Sequence, residues 1–305
     1  MGIPDNTTAL KSANSVVNTF HPARNHRPVD VLPLEPLTII EASSGWRPVR
    51  FGELWQYREL LYFLIWRDLK VRYKQTFLGI AWVVMQPLLT TIVFSVFLGM
   101  LARVPSESFP YALFAYAGLL PWTFFATAVT NTGNSLVGNA HLITKIYFPR
   151  SIIPCAAIGA RLVDLGVAFV ILIGMLAYYR IAPTKNLLVL PLVVLLLWLF
   201  ALAVGMWVSA MNVKYRDISI ALPVLVQLWM FVSPVVYPSS LIPARWRWAY
   251  DLNPLVGIIE NFRSAVLGRS FNLRAFAVSA IVAVAFFVYS AYAFRRMERD
   301  FADVV

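Results

Sequence analysis

The chain has 305 residues, of which 59% are hydrophobic and 13% charged, and its formal net charge is +11. A mean hydropathy of +0.68 and a charged fraction about half that of an ordinary soluble domain exclude a soluble globular protein. The positive charge is therefore read as membrane topology rather than as a nucleic-acid footprint, and no nucleic acid is expected as a partner. The single cysteine, Cys155, excludes an intrachain disulfide, and His21, His26 and His141 are too scattered to suggest a metal site.

Residues 1–45 are polar and contain prolines, without the apolar core of a signal peptide. They are expected to be a mostly disordered cytoplasmic tail. Residues 46–75 differ. Leu54, Leu61, Ile65, Leu69 and Tyr73 recur at helical spacing, with Tyr62 and Trp66 beside them, while Gln56, Glu59, Arg67, Lys70 and Lys74 fall on the other side. That pattern predicts an amphipathic helix lying in the membrane surface among lipid headgroups.

Charge-free runs then cover residues 75–102, 108–140, 186–213, 218–244 and 275–294. Each exceeds the ~20 apolar residues that cross a hydrocarbon core. A sixth run, 151–179, is interrupted only by Arg161 and Asp164. The runs are apolar on every side, unlike the alternating strands of a membrane barrel. The expected fold is thus an all-α integral membrane protein with six transmembrane helices over 76–295 and a short cytoplasmic C-terminus over 296–305. With the N-terminus inside, 17 Lys/Arg fall on the cytoplasmic side, 8 outside, and Arg161 within a span. The asymmetry places both termini in the cytoplasm. Pro121 is expected to kink the second span, and Pro223 and Pro234 lie in the fifth.

Segment 238–274 is too long for a tight turn. Asn253 suits an N-cap, Pro254 the first helical position and Gly268 the C-terminal cap. Ile258, Ile259, Phe262 and Val266 make an apolar face, with Glu260, Ser264 and Arg263 opposite. A short amphipathic helix is expected here, re-entrant or on the outer surface, narrowing the exit.

Between the second and third runs stands "NAHLITKIYFPR", residues 139–150, both apolar and basic. Leu142, Ile143 and Ile146 are unusual for a loop that merely obeys the positive-inside rule. Arg161 and Asp164 are three apart on one helix face and can pair. They either lock the third span to its neighbours or act as gate or pore residues, because a charge at this depth is costly unless paired or facing a cavity. Trp82, Trp122, Phe124, Phe125, Trp229, Phe231 and Tyr237 are candidates for lining a pore, although such residues also form interfacial belts and pack helices.

The sequence contains no G-x-x-x-x-G-K-[ST], G-x-S-x-G or H-E-x-x-H motif. Few intramembrane acids argue against an ion pump. A membrane enzyme of polyprenyl-linked sugars would need clustered acids, and Asp217, Asp251 and Glu260 are scattered. The reading is a membrane conduit powered by something else.

Five pieces occur in order: "RDLKVRYKQTFLGIAWVVMQPLL", "GLLPWTFF", "NAHLITKIYFPR", "NVKYRDI" and "LNPLVGIIENFRSAVLG". Together, from about Trp46 to Arg296, they make the chain resemble the permease subunit of ABC exporters that move lipid-linked polysaccharide, including O-antigen, across the bacterial inner membrane. Capsule and teichoic-acid exporters share the pattern. Asn261 departs from it, standing where a glycine is expected. The resemblance implies a second copy of the chain, two separate ATPase subunits carrying ATP and Mg, and no cofactor on this chain. It also implies that the 139–150 knuckle is the coupling helix. Leu142, Ile143, Ile146, Tyr147 and Phe148 would then fill an ATPase cleft, and Lys145 and Arg150 would meet its polar rim.

Overall fold

The computed structural model describes residues 55–74, 81–106, 109–145 and 148–298. The expected tail over 1–45, the start of the interfacial helix, Ile146 and Tyr147, and residues 299–305 lie outside them. All regular structure among the described residues is helical. The protein is an all-α integral membrane protein.

Helix α1 (Arg58–Lys74) precedes α2 (Ala81–Phe94), which continues as a wider π-helical turn over Ser95–Leu101. Next come α3 (Tyr111–Gly133), the one-turn α4 (Ser135–Gly138), the short α5 (Ala140–Lys145) and α6 (Ile152–Tyr178). The chain proceeds through α7 (Leu190–Lys214), α8 (Ile218–Phe231), α9 (Ala244–Asp251), α10 (Pro254–Leu267) and α11 (Leu273–Glu298). Pro121 lies inside the continuous α3.

Among the described residues, five helical segments are long and apolar enough to cross a membrane: 81–101, 111–133, 152–178, 185–214 and 273–298. Of the six expected runs, the one left out of this count is the fifth. The run expected as the fifth span, 218–237, is helical only over the 14 residues of α8, or about 21 Å at 1.5 Å per residue, short of the ~30 Å core. The chain leaves the helix at Val232 and Ser233, just before Pro234, whose ring disfavours helical angles in the residue ahead of it.

Helices α3 and α7 form the centre. Helix α3 packs on α6 and α7, and α7 on α11, while α10 touches α3, α7 and α11. The most apolar window of α3 is 78% buried within the chain, whereas that of α2 is 11% buried. The first is core; the second turns most of its surface outward. Helix α1 lies along α6. Leu64 is its fully buried residue, flanked by Leu60, Leu61 and Ile65. Ile65 reaches Gly159 of α6, where a Cβ would come within 2.8 Å of it. The small-residue start of α6 is therefore the seat of α1. Tyr62, Phe63 and Trp66 stay exposed on the opposite side, as suits a helix in a membrane surface.

Helix α10 differs from expectation. Its ends are built as the sequence indicates: the Asn253 side chain accepts from Leu255 N, Pro254 occupies the first turn, and Gly268 closes the helix at φ 72°. That left-handed conformation suits glycine. Yet α10 is buried almost all round, including Arg263, Asn261 and Ser264. It is a buried helix, as the re-entrant alternative allows, and not one lying on the outer surface, because the polar residues on its second face find partners inside the protein.

Candidate functional site

The tip between α3 and α6 is shaped by asparagines. Asn134 and Asn139 each donate from Nδ2 to the carbonyl four residues earlier, Thr130 at 2.9 Å and Ser135 at 2.8 Å. Side chains that bond nearby backbone compete with a continuous helix, and α3 gives way to α4 and α5 at these two residues. Asn212 of α7 braces the break, donating to Gly133 O at 3.1 Å and to Asn134 Oδ1 at 3.0 Å.

Two further elements hold the tip. Arg67 of α1 donates to Asn139 Oδ1 at 2.8 Å while paired with Asp68 at 2.9 Å. Arg150 donates from its backbone N to Glu298 Oε1 at 3.1 Å, and from its guanidinium to Glu298 O at the end of α11. Arg150 is thus engaged within its own chain. Ile143 and Phe148 are also turned inward, at 8% and 7% exposure. Outward lie Val137, His141, Thr144 and Lys145, with Leu142 half-buried.

A second cluster lies where α1, α2, α3 and α6 meet. Asp164 accepts from Arg161 Nη1 at 3.0 Å, so the expected pair forms. Asp164 also takes the Arg72 guanidinium and the Tyr73 hydroxyl of α1. Burial first, and the hydrogen bond to Asp164 second, hold the Tyr73 phenol above its ordinary value. The phenol therefore stays protonated and keeps donating to Asp164. Arg161, Asp164 and Arg72 line a cleft of about 200 Å³ together with Trp82, Gln86 and Phe124.

The remaining aromatic candidates are mostly core. Phe125 is fully buried, stacked on Phe200 with centroids 5.4 Å apart and edge-on to Trp229 at 5.3 Å. Trp122 packs beside Phe125 at 5.9 Å. Trp229 Nε1 donates to Asn253 Oδ1 at 3.1 Å, linking α8 to the start of α10. The Tyr237 hydroxyl donates to Phe231 O at 2.9 Å, and the Phe231 ring is exposed. Trp82 is half-exposed on the cleft, and Phe124 borders it from a buried position.

Arg263 is held by backbone carbonyls: Phe114 O at 3.2 Å, Pro234 O at 2.7 Å and Val235 O at 2.5 Å. Its guanidinium carbon sits 3.8 Å from the centre of the Phe114 ring. Gly118 of α3 is required beside it, since a Cβ there would overlap the Arg263 guanidinium and Val235 O. Glu260, three residues away, accepts from Asn272 at 3.1 Å. Burial raises its carboxyl above the usual range.

Arg67, Arg72 and Tyr73 are the residues that sequence reasoning missed. The helical pattern puts Arg67 on the polar face and Tyr73 on the apolar one, yet Arg67 meets Asn139, 72 positions away, and Arg72 meets Asp164, 92 positions away. No local pattern encodes either pairing. Asp164 itself is the available signal, since an intramembrane carboxylate calls for more donors than the one that Arg161 supplies.

Spanning helices, a further helix seated on the third long one, and a braced tip define a multi-pass membrane protein. The ABC-2 type transporter family matches residues 59–267, and the chain belongs to that family. It is 32% identical to the O-antigen export system permease protein RfbA of Myxococcus xanthus over 214 residues, covering 70% of this chain and 82% of that protein. It is 27% identical to the protein of the same description from Klebsiella pneumoniae over 248 residues, 81% of this chain and 95% of that one. With the polysialic acid transport protein KpsM of Escherichia coli it shares 28% identity over 208 residues, 67% and 80% of the two chains.

Proposed function

We propose that this chain is the transmembrane permease subunit of an ATP-driven exporter that carries lipid-linked polysaccharide of O-antigen type across the bacterial inner membrane. The observation that carries this reading is the similarity to RfbA proteins along four-fifths of the chain, beside a family match over residues 59–267 that takes in the tip, the charged cleft and α10. In this reading a second copy completes the conduit, two separate ATPase subunits bind ATP and Mg, and both termini face the cytoplasm. The similarity to KpsM supports a second reading in which the polymer is capsular.

The tip then docks on the ATPase. Its exposed His141, Thr144 and Lys145 meet the partner around the half-buried Leu142, and Ile146 and Tyr147 supply apolar contact. Arg67 and Arg150 pass its movement to α1 and α11. Trp82, Phe124 and Phe231 are the aromatic candidates for contact with sugar, and the Asn253–Arg263 segment is the outer gate.

The test replaces His141 and Lys145 together by Glu and follows three quantities: permease in the membrane, ATPase co-purified, and glycan on the surface. Normal membrane level with loss of ATPase and glycan is expected. Full ATPase capture and full export would overturn the docking role. Deletion of the gene identifies the polymer: the missing surface glycan separates the O-antigen and capsule readings, and loss of neither overturns both.

A further inference from the structure

Helix α2 changes its winding partway along. Up to Phe94 it is an α-helix, and over Ser95–Leu101 it is π-helical. It ends in the same wide form: Ala102 donates from its backbone N to Phe97 O, five residues back, and Val104 to Leu98 O, six back, each at 2.9 Å, around Arg103 at φ 50°. A π-helical stretch is rare and tends to mark a functional position. The segment "SVFLGML" contains no proline that would force it.

The wide winding carries a cost. Thr90 and Thr91, in the α-wound part, donate their hydroxyls to the carbonyl four residues back at 2.8 and 2.7 Å. Ser95, at the first wide position, has a buried hydroxyl without a hydrogen-bond partner. An α-wound backbone would offer it the same bond, to Thr91 O. A buried donor left unmade is costly, so another contact must hold the wide form.

That contact is Gly99 on Tyr111 of α3. A Cβ at Gly99 would come within 2.8 Å of Tyr111 Cγ, so the backbone lies directly on the ring. Tyr111 is anchored in turn, its hydroxyl donating to Val236 O at 2.7 Å. Val236 lies in the turn after α8, where the neighbouring carbonyl, Val235 O, takes Arg263 of α10. A return to α winding moves each donor by one residue, about 100° around the axis and 1.5 Å along it, which carries Gly99 off the ring. The most apolar window of α2 is 11% buried, so little else in the chain opposes that turn.

We propose that the end of α2 is a two-state segment, π-wound while Gly99 lies on Tyr111 and α-wound in a second state, and that Tyr111 passes the change to the turn after α8. On the export reading, on which only its purpose rests, the segment couples the first span to the outer gate.

The test uses the full-length chain in lipid discs without ATPase, with nitroxide labels on Met100→Cys and Leu273→Cys in a Cys155→Ser background. Both sites are 73% exposed. Turning by 100° moves a label on the surface of a helix by roughly 8 Å, which pulsed electron spin resonance resolves. Gly99→Ala should shift the distance by several Å, because its methyl group meets the ring. Adding Ser95→Ala to Gly99→Ala should move the population back toward the parent distance about fivefold or more, since alanine has no hydroxyl to strand in the wide form. An unmoved distance in Gly99→Ala, or a double variant no nearer the parent, overturns the proposal. Tyr111→Ala removes the ring instead of crowding it and should give the same shift, which decides the matter where Gly99→Ala does not fold. A second pair, Ser240→Cys with Leu273→Cys, reads the turn after α8. It should move in Gly99→Ala and stay at the parent distance when Tyr111→Phe, which loses the bond to Val236, is added. Movement of the first pair alone would make the segment a local irregularity and overturn the coupling. Neither glycan nor ATPase takes part, so failure here leaves the export reading standing.

Discussion

The chain withdraws arginine from water in two places, and they are built differently. Arg263 in α10 is 3% exposed and gives its donors to three backbone carbonyls, two of them from the turn after α8. Arg161 in α6 shares one carboxylate with Arg72 and keeps a buried Nε unbonded beside a cleft. The first is a fastener. Carbonyls in a folded turn cannot leave, so the guanidinium ties α10 to the turn and to α3 permanently. The second is an open arrangement: the pairing is partial, and the Arg161 Nε stays without a hydrogen-bond partner beside the cleft. Desolvated charge is compatible with either role, and what decides between them is how many donors the protein itself has satisfied.

The largest expected effect breaks the fastener. Arg263→Met leaves the Pro234 and Val235 carbonyls without this donor, at about 1–3 kcal/mol for each group stranded in the interior, and should lower the unfolding temperature of the detergent-solubilised protein more than any other change considered. Arg263→Lys should recover only part, because an ammonium cannot reach three carbonyls in a plane. An unfolding temperature unaffected by Arg263→Met would show that the turn after α8 does not depend on α10.

Next in size is Gly118→Ala. A methyl group there overlaps the guanidinium and Val235 O, so it should cost about 1–3 kcal/mol as an overpacked core position. The sharper measurement is the double variant. With Arg263 already replaced, Gly118→Ala should cost less, since one of the two clashing groups has gone. Strict additivity would mean that Gly118 and Arg263 do not act as a unit.

The smallest effect belongs to the open arrangement. Asp164→Asn weakens pairs whose side chains are 13–27% exposed. An Asn there still offers an acceptor to the Tyr73 hydroxyl or a guanidinium, which keeps the loss to about 1 kcal/mol, the scale of one net hydrogen bond. The same thermal scan should place it below Gly118→Ala, and proteolysis should find α1 more readily released from α6, because Arg72 and Tyr73 lose their acceptor. A destabilisation as large as that of Arg263→Met would make the cluster a second fastener and erase the contrast.

The sequence by itself determined the class of fold and most of the helices. Long charge-free runs cannot be soluble, and an apolar run of twenty residues has few ways to satisfy its backbone other than as a helix. The ends of α10 were equally legible, because Asn253, Pro254 and Gly268 act through local backbone geometry. So was the Arg161–Asp164 pair, since three residues on a helix is a short-range relation. Tertiary structure decided the rest. It shortened the expected fifth span at Ser233–Pro234. It buried α10 by supplying Arg263 with carbonyls from another part of the chain. It turned Ile143 and Phe148 inward at the tip, and it brought Arg72 and Tyr73 to Asp164 across more than ninety residues. Hydrophobic runs and caps are written in neighbouring residues, whereas the partner of a buried charge is set by which helices come to lie side by side.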